Sequence, residues 1–125
     1  MLRACRSVLR PSGIMAFTAI EPTPGLAPSE RRHVADVGPS AVLVRTSYRS
    51  LLGSAGFTDV VAEDVTAGYR STLAAWFRET ERRADAVVAV VGRDEFVERQ
   101  QRRRNALAGV DAGVLRRWLY VARRG

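Results

Sequence analysis

His33 is the chain's single histidine, and an imidazole titrates near neutral pH, so it is the candidate general base. Glu21 directly follows an apolar run, where its carboxylate can orient a substrate amine or hydroxyl, and Thr23 belongs to the same loop. Tyr48, together with Tyr69, Trp76 and Phe77, can wall an apolar pocket. Each has a plainer reading: a solvent-facing helix histidine, an exposed loop carboxylate, and aromatics that fill a core. One histidine, one cysteine and scattered acids give no metal-ligand spacing, so no metal site is expected.

The frame holding these groups is an ordinary soluble domain. A length of 125 residues suffices for one core, and 46% hydrophobic with 26% charged residues excludes a disordered chain. The net charge is +7, and all twenty basic residues are arginines. They are scattered over several elements, which reads as composition more than as a nucleic-acid footprint, so nucleic acid is not the expected partner. The densest group, Arg99 with Arg102, Arg103 and Arg104, is expected as a solvated helix face with i,i+4 pairing to Glu95. Cys5 is alone, so no internal disulfide forms and a reducing, cytoplasmic location is expected. No apolar run reaches the ~20 residues that span a bilayer. The acid-free first twenty residues have a faint transit-peptide character but read better as helix, turn and strand.

Along the chain, residues 1–9 have a helical stripe of Leu2, Cys5, Val8 and Leu9. Pro11 stops that helix, and a type I turn over Pro11, Ser12 and Gly13 is expected. Residues 14–20 form an almost continuous apolar strand, as in a sheet covered on both faces. Residues 21–46 read as a loop and lid: a Pro-rich stretch, a short polar helix capped by Ser29, a stop at Gly38-Pro39, and an apolar 41–44 that fits either helix or strand. A helix over 47–55 carries Tyr48, Leu51, Leu52 and Ala55, with Gly56 as its left-handed cap. Residues 58–65 alternate as a strand, with Val60 and Ala62 facing away from Val61. One helix is predicted over 71–91 and another from Asp94, with Phe96, Val97, Leu107 and Val110 inward. Residues 115–122 close the chain as a strand. Residues 1–125 thus read as a single α/β unit, divided into 1–20, 21–46, 47–65, 66–114 and 115–124.

Two turns in fixed order, Leu9-Arg10-Pro11-Ser12-Gly13 and Ala55-Gly56-Phe57, followed by the closing strand Trp118-Leu119-Tyr120-Val121-Ala122, resemble the second half of class I S-adenosylmethionine (SAM)-dependent methyltransferases. That family has Leu-Lys/Arg-Pro-Gly-Gly before its fifth strand, where Ser12 replaces the first glycine here. The resemblance implies a partial Rossmann-like three-layer sandwich, with strands equivalent to the fifth, sixth and seventh and the last one antiparallel. It also implies methyl transfer from SAM to a small-molecule O, N or C, with proximity providing most of the rate.

The family holds SAM with a Gly-x-Gly loop and an acid after the next strand, and neither has a counterpart here. Gly109-Val110-Asp111-Ala112-Gly113 reads as a helix end. The expectation is therefore no tight SAM binding by this chain alone, no cofactor-binding residues, and dependence on a missing amino-terminal half. The edge 14–20, left open for a fourth strand, is expected to meet that half or to self-associate. The alternative reading is a non-catalytic binding or dimerisation module derived from the same fold.

Overall fold

Pro11 ends the first helix and sets the geometry that follows. In the computed structural model, which describes residues 1–37 and 47–125, α1 (Leu2–Val8) gives way to an extended Leu9 and a tight turn into β1 (Ile14–Pro22). The Gly13 N–H donates to Arg10 O at 2.8 Å, and Ser12 has φ of 60°. Proline fixes a negative φ at the second turn position, so positive φ at the third makes this a type II turn, not the expected type I. The next glycine is required as well, because a Cβ on Gly13 would meet Arg10 O at 2.8 Å.

After β1 come α2 (Pro28–Val37), α3 (Tyr48–Ser54) and β2 (Phe57–Asp64). The expected stop at Gly38-Pro39 and the apolar stretch 41–44 lie outside the described residues. Ser47 caps α3, accepting the Ser50 N–H at 3.3 Å, and Gly56 takes φ of 90° beyond its end. β2 carries an irregularity between Thr58 and Val61, where Asp59 has φ of 51°. Three helices follow: α4 (Thr66–Arg82), α5 (Ala84–Val91) and α6 (Arg93–Asp111), and then β3 (Leu115–Arg124). The single helix predicted over 71–91 is two. Arg83 leaves helical geometry, and neither glycine nor proline marks the break in the sequence. The first of the two begins early, because Asp64 Oδ1 accepts the Thr66 N–H at 2.9 Å and starts the turn at Thr66.

The sheet order is β1-β3-β2, with β3 antiparallel to both neighbours. This is a mixed α/β arrangement, closed by an antiparallel last strand as the family resemblance implied. Register puts Met15 with Ala122, Phe17 with Tyr120 and Ala19 with Trp118 on one face. That face meets α1 and α3 through a core of Leu52, Phe57, Tyr120 and Ala122, joined by Leu2, Leu9 and Val60. The opposite face carries Ile14, Ala16, Thr18, Leu119 and Val121, with Val61 from β2. There α4 covers only the end near Thr18 and Leu119, so Ile14 and Val61 remain 57% and 61% exposed.

A second core, of Val34, Val114 and Leu115 with Ile20 and Val110, seats α2 against the start of β3. Gln100 is buried between helices, donating to Phe77 O at 3.2 Å and Glu81 Oε1 at 3.0 Å while accepting from Arg103 at 2.7 Å. Two residues expected inside are not: Trp76 is largely exposed under the Arg103 guanidinium, and Val97 lies on the outer side of α6.

Many arginines act as ties for the chain. Arg6 donates to Gly56 O and Gly125 O, Arg123 to Ser12 O, and Arg124 to Leu9 O. They clamp both turns to the chain's last residues. On α6, Arg99 and Arg102 pair with Glu95, and Arg102 also with Glu98, at exposed positions.

Candidate functional site at the carboxyl ends of the parallel strands

β1 and β2 both run antiparallel to β3 and are therefore parallel to each other, so Pro22 and Asp64 leave the sheet at one end. In open α/β sheets that end receives ligands. Here it is bordered by α2, the start of α3 and the start of α4.

On the face toward α3, Glu21 and Tyr48 are brought together. Glu21 Oε2 accepts the Tyr120 hydroxyl proton at 2.6 Å, and Oε1 accepts the Tyr48 backbone N–H at 3.4 Å. Below the carboxylate, Phe17 stacks on Tyr120 with centroids 5.3 Å apart and meets Tyr48 edge-on at 5.5 Å. Burial pushes the Tyr120 hydroxyl well above its ordinary pKa, its bond to Glu21 adds to this, and Arg49 opposes it. Glu21 thus holds the first turn of α3 to the sheet, and among the described residues these two donors are the ones that engage its carboxylate.

Thr23 serves the backbone: its N–H donates to Val114 O at 2.9 Å and its hydroxyl to Gly113 O at 2.5 Å. His33 sits on the exposed side of α2, next to the buried Val34 that anchors the helix. Among the described residues no hydrogen bond joins His33 to Glu21, Thr23 or Tyr48. No group of three His, Cys, Asp or Glu side chains that could hold a metal occurs among them either.

On the opposite face lies an open groove of about 300 Å³, lined by Thr18, Val65, Tyr69, Thr72, Arg117 and Leu119. The Arg117 guanidinium lies 4.9 Å from the Tyr69 ring centroid, and Nη2 donates to Thr18 Oγ1 at 2.7 Å. Burial raises the Tyr69 pKa, against the nearby positive charge of Arg117. Tyr69 was a candidate pocket wall from sequence. Arg117 and Thr18 carried no such signal, since they belong to an arginine pair and an apolar strand.

The two glycines of the segment 109–113 serve the end of α6. A Cβ on Gly109 would strike Leu115 Cδ1 at 2.6 Å, so that glycine serves helix-to-strand packing. Gly113, at φ of 76°, ends the turn after α6, with its carbonyl taken by Thr23. Neither is available to approach a nucleotide. No helix among the described residues is long and apolar enough to cross a membrane.

The chain has the fold of part of a class I SAM-dependent methyltransferase. Similar solved structures include a candidate sarcosine dimethylglycine methyltransferase from Galdieria sulphuraria, with a TM-score of 0.79 and 18% identity over 99% of this chain and 46% of that one. Another is phosphoethanolamine N-methyltransferase 2 from Haemonchus contortus, solved with phosphomonomethylethanolamine and S-adenosylhomocysteine, with a TM-score of 0.76 and 15% identity over 98% and 29%. The cyclopropane synthase MmaA2 from Mycobacterium tuberculosis gives 0.75 and 11% over 98% and 48%. The chain therefore spans less than half the length of each of these structures. Compared by sequence, it matches no protein-family model and no curated protein.

Proposed function

We propose that the chain is the second, substrate-side half of a SAM-dependent methyltransferase acting on a small molecule, and that these 125 residues do not bind SAM tightly by themselves. The observation carrying this reading is the β1-β3-β2 order, with an antiparallel closing strand between two parallel ones, superposing on methyltransferases over 98–99% of the chain. SAM, where bound, supplies the methyl group. The chain's own part is to receive and orient the acceptor at the carboxyl end of β1. Glu21, Thr23 and Tyr48 border that end, with His33 on the α2 lid as candidate base. The lone, partly buried Cys5 fits a reducing compartment, and we place the protein in the cytoplasm.

Among the described residues β1 pairs only with β3, which leaves its other edge for the amino-terminal half that would hold SAM. The same edge, with Ile14 and Val61 exposed on the uncovered face, supports the second reading of a dimerisation or binding module. A charge of +7 on each copy opposes self-association and favours a complementing half.

Calorimetric titration with SAM tests the leading reading, which expects no saturable binding by the chain. Tight binding would show that the cofactor site is contained here and overturn the incompleteness. Light scattering tests the edge itself: a defined dimer supports association through 14–20, and a monodisperse monomer counts against it.

A further inference from the structure

We infer that the groove beneath α4 is a binding site for an organic oxyanion, a carboxylate or phosphate ester carried on a short apolar body, with Arg117 as its anchor. This goes beyond the methyltransferase reading and stands without it. Arg117 lies in the groove wall with its guanidinium fixed twice, by the Tyr69 ring at 4.9 Å and by the bond to Thr18 Oγ1 at 2.7 Å. Only one Nη2 hydrogen is used in that bond, and the guanidinium has five N–H donors. Among the described side chains no carboxylate lies within ion-pair distance of it. Its strand neighbour Arg116, by contrast, reaches Asp64 at 4.0 Å on the other face.

An oriented, uncommitted guanidinium matches the planar fork of a carboxylate or phosphate. The surrounding chemistry defines the rest of the ligand. Val65 and Leu119 give an apolar wall, and Thr72 and Tyr69 also line it. A bare inorganic ion would leave the apolar wall wet, and a neutral apolar body would leave the guanidinium unanswered. The groove runs from Thr18 in mid-β1 to Val65, just beyond the carboxyl end of β2, and α/β sheets take ligands at that end.

The experiment is a titration of the full chain at low salt, followed by amide NMR and calorimetry, using benzoate, phenyl phosphate and benzyl alcohol as probes. The expected result is saturable millimolar binding of benzoate or phenyl phosphate, with shifts at Gly68, Tyr69 and Thr72. The tighter of the two names the oxyanion. Arg117→Gln should weaken that binding at least ten-fold, and Arg117→Lys should weaken it less, keeping the charge without the fork. Arg102→Gln, on the solvated face of α6, should leave it unchanged. Should Arg117→Gln fail to fold by circular dichroism, Thr18→Val provides the test by releasing the guanidinium, with a several-fold loss expected. Equal binding of benzyl alcohol, equal affinity in a folded Arg117→Gln, or no binding of either anion overturns the proposal. So does movement of the same amides with protein concentration alone, which would assign the groove to a second copy.

Discussion

The Tyr120 hydroxyl donates to Glu21 Oε2 across 2.6 Å, joining the closing strand to the carboxyl end of β1 beneath the first turn of α3. The second oxygen of the same carboxylate accepts the Tyr48 N–H, so one side chain connects three elements that are far apart in sequence.

Tyr120→Phe is expected to lower stability at neutral pH by about 1–2 kcal/mol, since it removes the donor from a part-buried carboxylate. The alkaline limb should move the other way. The folded pKa of Tyr120 lies above its ordinary 10.0, mainly through burial, so the native state keeps a proton that the unfolded chain loses. Its contribution is present in full below that value and is lost as pH rises beyond it. Urea melts across the alkaline range, with tyrosinate absorbance followed in parallel, should show Tyr120→Phe losing stability less steeply than the parent.

Ser12→Gly should stabilise the chain by about 0.5–1 kcal/mol, because a left-handed conformation at a residue with a Cβ costs about 1–2 kcal/mol, partly offset by glycine's greater chain entropy. Ser12 holds φ of 60° in a turn closed by Gly13 N–H to Arg10 O. Thermal melts check it. An unchanged or lower midpoint would place the strain elsewhere.

The same turn shows what was legible in the sequence. Pro11, Gly13 and the apolar run after them located a helix stop and a strand, since those residues act through their own backbone. The turn type escaped because β1, paired to β3 from Ile14 onward, fixes the exit direction and forces Ser12 into a region that serine disfavours. The break at Arg83 escaped for a related reason: a charged residue with ordinary helix propensity leaves helical geometry between two tertiary packings. Glu21 was readable as the end of a strand and Tyr48 as the start of a helix, but not their meeting. Tyr120, which engages Glu21, lies 99 positions away, and such pairings exist only once register is set. Arg117 was indistinguishable from the chain's other arginines until Tyr69 and Thr18 fixed its guanidinium.

Gln100→Ala should cost about 1–3 kcal/mol by removing a buried side chain and its three hydrogen bonds to part-buried and exposed partners. Gln100 is 1% exposed and satisfies Phe77 O, Glu81 and Arg103 at the α4–α6 contact. Amide hydrogen exchange is expected to rise in α4–α6 and to change little in β1 and β3. A uniform rise across the chain would mean that the contact belongs to the global core.

Gly109→Ala should destabilise by about 1–3 kcal/mol through overpacking. The added Cβ would meet Leu115 at 2.6 and 3.0 Å, and Leu115 is 1% exposed with little room to yield. A double variant with Leu115→Ala should recover part of the Gly109→Ala loss relative to Leu115→Ala alone, because the truncated side chain clears that contact. Strict additivity in denaturant melts would contradict the steric account.

Glu79 should titrate at about 2, held down first by hydrogen bonding from Arg82 and then from Arg83, at 2.5 and 2.7 Å. A carboxylate whose folded pKa is depressed contributes stability above its unfolded value of 4.5, and that contribution is lost as pH falls through the folded pKa. All three side chains are at least half exposed, so the effect is local and screened by salt. Carboxyl-carbon NMR should place the Glu79 midpoint near the lower value at low ionic strength and return it toward 4.5 in ~1 M salt, where the Debye length shrinks to ~3 Å. A midpoint near 4.5 at low salt would show that the two guanidinium contacts do not persist in solution.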